Sequence, residues 1–344
     1  MPPPPEHVEP PIPPGKLPAD LLAELLGGLP PLPSDVLVGP APGEDACVLA
    51  VGAGDGVDSV VVAATDPITL TGAAVGRLAV VVNANDVAVM GAAPRWFLAA
   101  VLLPPGTTAA DVRALFGSMT DALADVGATL VGGHTEVTPV VAQPVVVGQM
   151  LGTPVAGRVV RTAGARPGDV LVQVGPVPVE GAAVLAAEAG DRLSAVDATA
   201  WAAAAAAVDD PGISVVDAAL DAARLGATAM HDPTEGGLAA GLHELAQASG
   251  TAVRVRGGDV RWFDPGVIVC RAVGADPWAT LASGCLLATF PSGAAAAAVA
   301  ALNGRGPAAV VIGDIVAGPP TVLVDGRALA RPARDELARI LRPD

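Results

Sequence analysis

Tyrosine is absent from this 344-residue chain, lysine occurs once, and cysteine occurs three times. The three thiols, Cys47, Cys270 and Cys285, are widely spaced and odd in number. They give neither a disulfide framework nor a zinc-ligand spacing, and they fit a reducing compartment. Long apolar runs are missing too, despite 52% hydrophobic residues and a mean hydropathy of +0.55. A spanning helix needs about 20 apolar residues with almost no charge. The best stretch, Ala73 to Met90, is interrupted by Arg77, Asn83, Asn85 and Asp86, and the tracts 202–208 and 294–302 are short and alanine-rich. The N-terminus is a proline run without the apolar core of a signal peptide. A cytoplasmic protein without a membrane partner is expected. Basic residues are scarce, 19 against 35 acidic, for a net charge of −16 and an isoelectric point near 4.5. So acidic a surface repels nucleic-acid backbones and anionic lipid, and any bound nucleotide would need its phosphates neutralised locally. Neither a Walker loop nor a G-x-G-x-x-G fingerprint is present, so the common nucleotide folds have no support.

What is there reads as two α+β domains. Residues 1–34 begin with MPPPPEHVEPPIPPG, which lacks most amide donors and reads as a disordered or extended arm. Residues 35–156 form the first domain and 157–330 a larger second one. Between them lies a basic, glycine-rich crossover (RVVRTAGARPG), and 331–344 form a tail with a short helix. Strands are predicted at Val57–Thr65, ending at Asp66-Pro67, and at Arg95–Leu103, Ala128–Val131 and Pro144–Gly152. Helices are predicted at Thr71–Met90 and Ala109–Val126. The second half mixes helices and strands in the same style, without strict βαβ alternation. Cys47 reads as a small apolar core residue.

Five short segments each set an acid or histidine beside glycine or an apolar element: Gly43-Glu44-Asp45-Ala46, Thr65-Asp66-Pro67, Asn83-Ala84-Asn85-Asp86, Gly132-Gly133-His134-Thr135-Glu136 and His231-Asp232-Pro233-Thr234-Glu235-Gly236-Gly237. Dispersed carboxylates at strand ends suit Mg²⁺, which takes oxygen ligands and shares them with substrate phosphates. Paired glycines let backbone N–H groups come close to phosphate. Each segment also has a plain structural alternative. Asp232 would cap the helix beginning near Gly236, Gly132-Gly133 would be a strand-exit loop, and Asn85-Asp86 would face solvent.

The order GEDACV, TD, NDVAVMGAAP, GATLVGGHTEVTP, HDPTEGGLAAGLHELA resembles the AIR-synthase superfamily over residues 35 to about 330. The HypE-like branch is nearest, through GKLP, GPAPGEDA, GGHTEVTP, RTAGARPGD and HDPTEGG. The resemblance implies an N-terminal α+β domain forming a β-barrel across a homodimer, with ATP and Mg²⁺ in a groove beside it. It implies phosphoryl transfer to an oxygen of a small-molecule or carboxamide acceptor. Two alternatives stay open: a nucleotide-binding maturation partner without turnover, and a kinase like thiamine-monophosphate kinase. Carried over by motif, Asp45, Asp66, Asp86 and Asp232 are the metal carboxylates. Gly132, Gly133 and Thr135, with His134, match the phosphate-contacting loop, and Asn83 and Asn85 match the polar face of the helix beside it. His134, Asp232 and Glu235 are the candidates for chemistry. Glu235 stands where HypE-like loops often have arginine; it would be a further metal ligand or pair with Arg158 or Arg161. HypE proteins end in a Pro-Arg-Ile-Cys-like tail, whereas this chain ends Arg339-Ile340-Leu341-Arg342-Pro343-Asp344, so true HypE chemistry is not expected. Two features remain. Arg254–Asp264 (RVRGGDVRWFD) is either a specificity wall or a surface hairpin. The lone lysine among eighteen arginines, Lys16, either reaches the β/γ-phosphates from a stiff arm or is a solvated charge in a tail.

Overall fold

The computed structural model describes residues 19–41, 43–51, 60–69 and 74–341. Helix α1 (Ala19–Gly27) precedes a six-stranded sheet made of β1 (Val36–Val38), β2 (Cys47–Ala50), β3 (Val60–Ile68), β4 (Ala92–Leu103), β5 (Thr129–Val137) and β6 (Val145–Pro154). Its strand order is β1-β2-β3-β6-β4-β5. Alternation along β4, with buried Phe97, Ala99, Val101 and Leu103, gives one face to the core. That face is covered by α2 (Val75–Val89) and α3 (Ala109–Asp125), the latter opened by a Thr108–Asp111 capping box. The β4–α3–β5 unit is a parallel crossover.

Two boundaries differ from the sequence-based expectation. Strand β3 does not stop at Asp66; it runs on through Pro67 to Ile68, paired with β6. β2 pairs only with residues 60–63, so beyond them β3 is an edge strand, the setting in which a sheet tolerates proline. Likewise Gly132 to Glu136 are strand, not loop, because β5 stays paired with β4 as far as Val137.

The second sheet has seven strands: β7 (Asp169–Val174), β8 (Ala229–His231), β9 (Ala252–Val255), β10 (Leu286–Pro291), β11 (Ala309–Val316), β12 (Thr321–Val324) and β13 (Arg327–Ala328), in the order β13-β12-β9-β11-β7-β10-β8. Helices α4 (Glu180–Glu188), α5 (Ala198–Ala205), α6 (Val216–Arg224), α7 (Gly237–Ser249), α8 (Asp264–Val273) and α9 (Ser292–Asn303) pack around it. The tail helix α10 (Glu336–Leu341) belongs to this body: Leu337 and Ile340 join the apolar cluster of α4 and α8.

The two halves share a core. One cluster of buried side chains runs from Val80, Ala84 and Val87 of α2 to Val216, Ala219 and Leu220 of α6. This explains why α2 is buried almost all round and shows no apolar stripe. Cys47 is only half-buried, so it is not the core residue the sequence suggested.

Candidate functional site

Ionisable groups converge where the first domain's GEDA segment meets the second domain. Gly43 adopts φ +83°, and a Cβ there would sit 3.2 Å from the Glu244 carbonyl oxygen and 3.3 Å from the Ala248 Cβ. The segment therefore lies flat on α7, and Glu44 and Asp45 point into the junction. Asp45 comes from the first domain. His231, at the end of β8, and Asp232, the next residue, come from the second. One ligand atom from each of these three lies within 4.8 Å of the others. Among the described residues this is the one such His, Cys, Asp and Glu group that could hold a metal ion.

The His231 ring is fixed at both nitrogens. Nδ1 is 3.0 Å from Asp45 Oδ2, and Nε2 is 2.9 Å from Glu244 Oε2 on α7. Burial alone would lower the affinity of this ring for its proton. The Asp45 and Glu244 carboxylates outweigh that effect and hold it well above the usual histidine value. The Thr162 hydroxyl lies 3.3 Å from the same Asp45 oxygen and 3.1 Å from the Met230 carbonyl oxygen. Beside Asp45, the Glu44 side chain is 3% exposed and is gripped by Arg161 through Nε at 3.0 Å and Nη2 at 2.7 Å. Both bonds fall on Oε1, and Oε2 is buried with no hydrogen-bond partner. The meeting of the Asp45 and Asp232 carboxylates fits a divalent cation with oxygen ligands.

Asp66 and Asp86 do not join this group. Asp66 is exposed on β3, where its backbone N–H donates to Asn83 Oδ1 at 2.8 Å. Asn83 Nδ2 donates to the carbonyl oxygens of Asp66 and Ala79. Asn85, 1% exposed, accepts from Val215 N–H and donates to the Ile213 carbonyl oxygen, both at 2.9 Å. The two asparagines therefore tie α2 to β3 and to the second domain. Asp86 is buried as well, so the solvent-facing alternative for this pair does not hold.

The glycine segment lies elsewhere, on the open edge strand β5, all of whose residues are exposed. Gly133 has φ +149°, and a Cβ there would fall 2.1 Å from the Ala99 carbonyl oxygen, so only glycine lets β5 come this close to β4. Gly132, Gly133, His134 and Thr135 border a cavity of about 290 Å³ with Ala99, Phe116 and Leu130. His134 is exposed and lies 3.5 Å from Glu136.

In the second domain, Asp232 does not cap α7: Gly236 is the N-cap residue, with no side-chain cap, and its N–H donates to Asp335 from the tail at 2.7 Å. Glu235 is exposed near two other acids. Burial pushes Glu180 up to about 7 against the Ser283 hydroxyl, with Glu235 and Asp335 adding to the rise. Burial likewise pushes Asp335 up to about 6, against N–H bonds from Gly236 and Leu337. Arg161 holds Glu44, and Arg158 donates to the Ala227 carbonyl oxygen. The 254–264 stretch is no hairpin. It holds a 3₁₀ turn at Gly257–Asp259 and bridges to Val177 through Trp262. Lys16, with the arm and the Thr71-Gly72 helix start, lies outside the described residues.

Sequence reasoning missed Glu244 and Thr162, quoted His231 without giving it a role, and considered Arg161 for Glu235 rather than for Glu44. A usable signal was present, since His231 opens the HDPTEGG segment and Glu244 lies in GLHELA directly after it.

Residues 43–153 match the model of the AIR synthase related protein N-terminal domain, and residues 166–326 match that of its C-terminal domain. The chain belongs to the AIR synthase related family. Within the family, it is 33% identical over 255 residues to carbamoyl dehydratase HypE of Rhodobacter capsulatus, covering 73% of this chain and 72% of that one. Hydrogenase maturation protein HypE in complex with ATP superposes with a TM-score of 0.70 at 23% identity, covering 93% and 91%. The HypE–HypF complex gives 0.69 at 22% identity, covering 85% and 94%. At these identities the solved structures establish the shared fold. Among the described residues, no helix is long and apolar enough to cross a membrane.

Proposed function

We propose that this chain binds Mg²⁺ and ATP and activates an oxygen of an amide, carboxamide or phosphate acceptor by phosphoryl transfer. The observation that carries this reading is the meeting of Asp45 from one domain with Asp232 from the other. The likeness to HypE, whose relatives include an ATP complex, supports it.

In this reading Asp45 and Asp232 hold Mg²⁺, which when bound offsets phosphate charge that a −16 chain would otherwise repel. Arg161 fixes the GEDA segment through Glu44, and Thr162 and His231 fix the Asp45 carboxylate, so the donors are set before ligand arrives. Gly132, Gly133 and Thr135 give close backbone approach to the nucleotide, and His134 reaches it from the same strand. Asp66 and Asp86 are assigned to a separate contact on the first domain, and Glu235 to the acceptor side.

The acceptor is carried by a small molecule or a partner protein. Burial pushes Cys270 up to about 11 and Cys285 higher still, so neither thiol is a ready carrier at neutral pH. The exposed β5 edge, with Val131 and Val137 open to solvent, supports a homodimer closed through this edge. The test is phosphate release from ATP by the isolated protein with Mg²⁺, with and without carbamoylated peptides and a metabolite panel. Turnover that depends on Mg²⁺ and falls in Asp232→Asn is expected. ATP binding without any turnover under all conditions would favour a maturation partner instead.

A further inference from the structure

Residues 329–336, which lead into the tail helix, touch α7 at its middle and at its start. The His243 imidazole donates from Nε2 to the Leu329 carbonyl oxygen at 3.0 Å. Arg331 donates from Nη1 to Gln247 Oε1 at 2.8 Å, and its Nη2 lies 3.9 Å from Glu244 Oε1. At the helix start, Asp335 Oδ2 accepts from the Gly236 N–H at 2.7 Å, in place of the side-chain cap that glycine cannot give. Pro332 covers the same glycine, where a Cβ would lie 3.8 Å from its ring. The segment is tied at both ends. Leu329 N–H donates to the Val322 carbonyl oxygen, Glu336 N–H donates to that of Ala279, and Leu337 and Ile340 are buried with α4 and α8. It is a strap across α7.

The two points it holds lead to the two carboxylates at the domain junction. Gly236 closes the short segment that begins His231-Asp232. Glu244 turns Oε1 toward Arg331 and Oε2 to His231 Nε2 at 2.9 Å, and His231 Nδ1 in turn lies 3.0 Å from Asp45 Oδ2. We propose that Arg331 and Asp335 are positioning residues for these carboxylates. Asp335 sets Asp232 through the start of α7, and Arg331 sets Asp45 through Glu244 and His231. Neither residue joins the Asp45–His231–Asp232 group, so each acts only by restricting the groups that do. The proposal rests on the Mg²⁺–ATP reading of the junction for what the carboxylates are positioned to hold.

The test compares the full chain with Arg331→Ala, Asp335→Ala and a control, Arg339→Ala. The control loosens the same tail where it faces Glu336 and the Gly274 carbonyl oxygen, away from α7. ATP binding is measured by calorimetry across a Mg²⁺ titration. Arg331→Ala and Asp335→Ala should raise the Mg²⁺ concentration for half-maximal ATP binding by about 3- to 10-fold, less than the 10- to 100-fold typical of groups bonded directly to a metal ligand. Arg331→Lys keeps the charge and Asp335→Asn keeps an acceptor for Gly236, so each should recover most of the loss. Arg339→Ala should leave the midpoint unchanged. No rise in the first two variants, or an equal rise in the control, would overturn the assignment. Hydrogen exchange over residues 231–245 in the ligand-free proteins tests the strap without nucleotide. Exchange should quicken in Arg331→Ala and Asp335→Ala but not in Arg339→Ala, and exchange equal to wild type in all three would overturn the strap alone. If wild type binds no ATP with Mg²⁺, the phosphoryl-transfer reading fails, while faster exchange confined to the Arg331 and Asp335 variants still upholds the strap.

Discussion

Replacing Asn85 by alanine separates two roles that its place in the NANDVAVMGAAP segment allows. In the structure its amide is a strut: Oδ1 accepts from Val215 N–H and Nδ2 donates to the Ile213 carbonyl oxygen, each at 2.9 Å. Asn85 is 1% exposed, Ile213 1% and Val215 3%, so water cannot replace the lost bonds. Alanine leaves one buried donor and one buried acceptor without partners, at about 1–3 kcal/mol each, so a loss of about 2–6 kcal/mol is expected. Urea unfolding followed by tryptophan fluorescence measures it. Trp96 lies in the first domain and Trp201, Trp262 and Trp278 in the second, so the emission also reports whether the halves still unfold together. Asn85→Asp should fare no better, since it sets a carboxylate oxygen against the Ile213 carbonyl. A loss below about 1 kcal/mol combined with weakened ATP binding would refute the strut and restore a ligand role.

Arg161→Ala should cost about 1–3 kcal/mol, between the limits for exposed and buried pairs, because Glu44 is buried while Arg161 is 45% exposed. Glu44→Gln in the same chain should recover part of that loss, and a double-mutant cycle showing no coupling would contradict the clamp. Glu180 and Asp335, at about 7 and about 6, bind their protons more tightly in the folded state than in the unfolded one. Their contribution is therefore complete at acid pH and is lost as pH rises toward 7. Glu180→Gln should gain stability over wild type across that window, on the order of 3 kcal/mol at most; parallel stability–pH curves for the two proteins would contradict this.

The helix predicted at Ala109–Val126 matches α3 to within a residue, as helix periodicity and capping allow. The edges β1, β2, β12 and β13 were missed, being two to four residues long and without a clear period. β5 was cut short because glycine reads as a loop, while tertiary pairing with β4 overrides that preference. At the site, Asp45 and Asp232 were found because the chemistry of a carboxylate is visible in one residue. The bonds that Asn83 and Asn85 make to β3 and to the second domain were not legible, since a buried strut and a nucleotide contact need the same side chain. His231 escaped because its meaning depends on Glu244 and Asp45, which are 13 and 186 positions away.

The most direct measurement is the thermal shift of the full chain with ATP, with and without Mg²⁺, in wild type, Asp45→Asn and Asp232→Asn. Wild type should be stabilised by about 2.7 kcal/mol at 100 times its Kd, only when Mg²⁺ is present, and both variants should lose most of that gain while remaining folded. No shift in wild type, or the same shift in all three proteins, would contradict a nucleotide–metal site at the junction of the two domains.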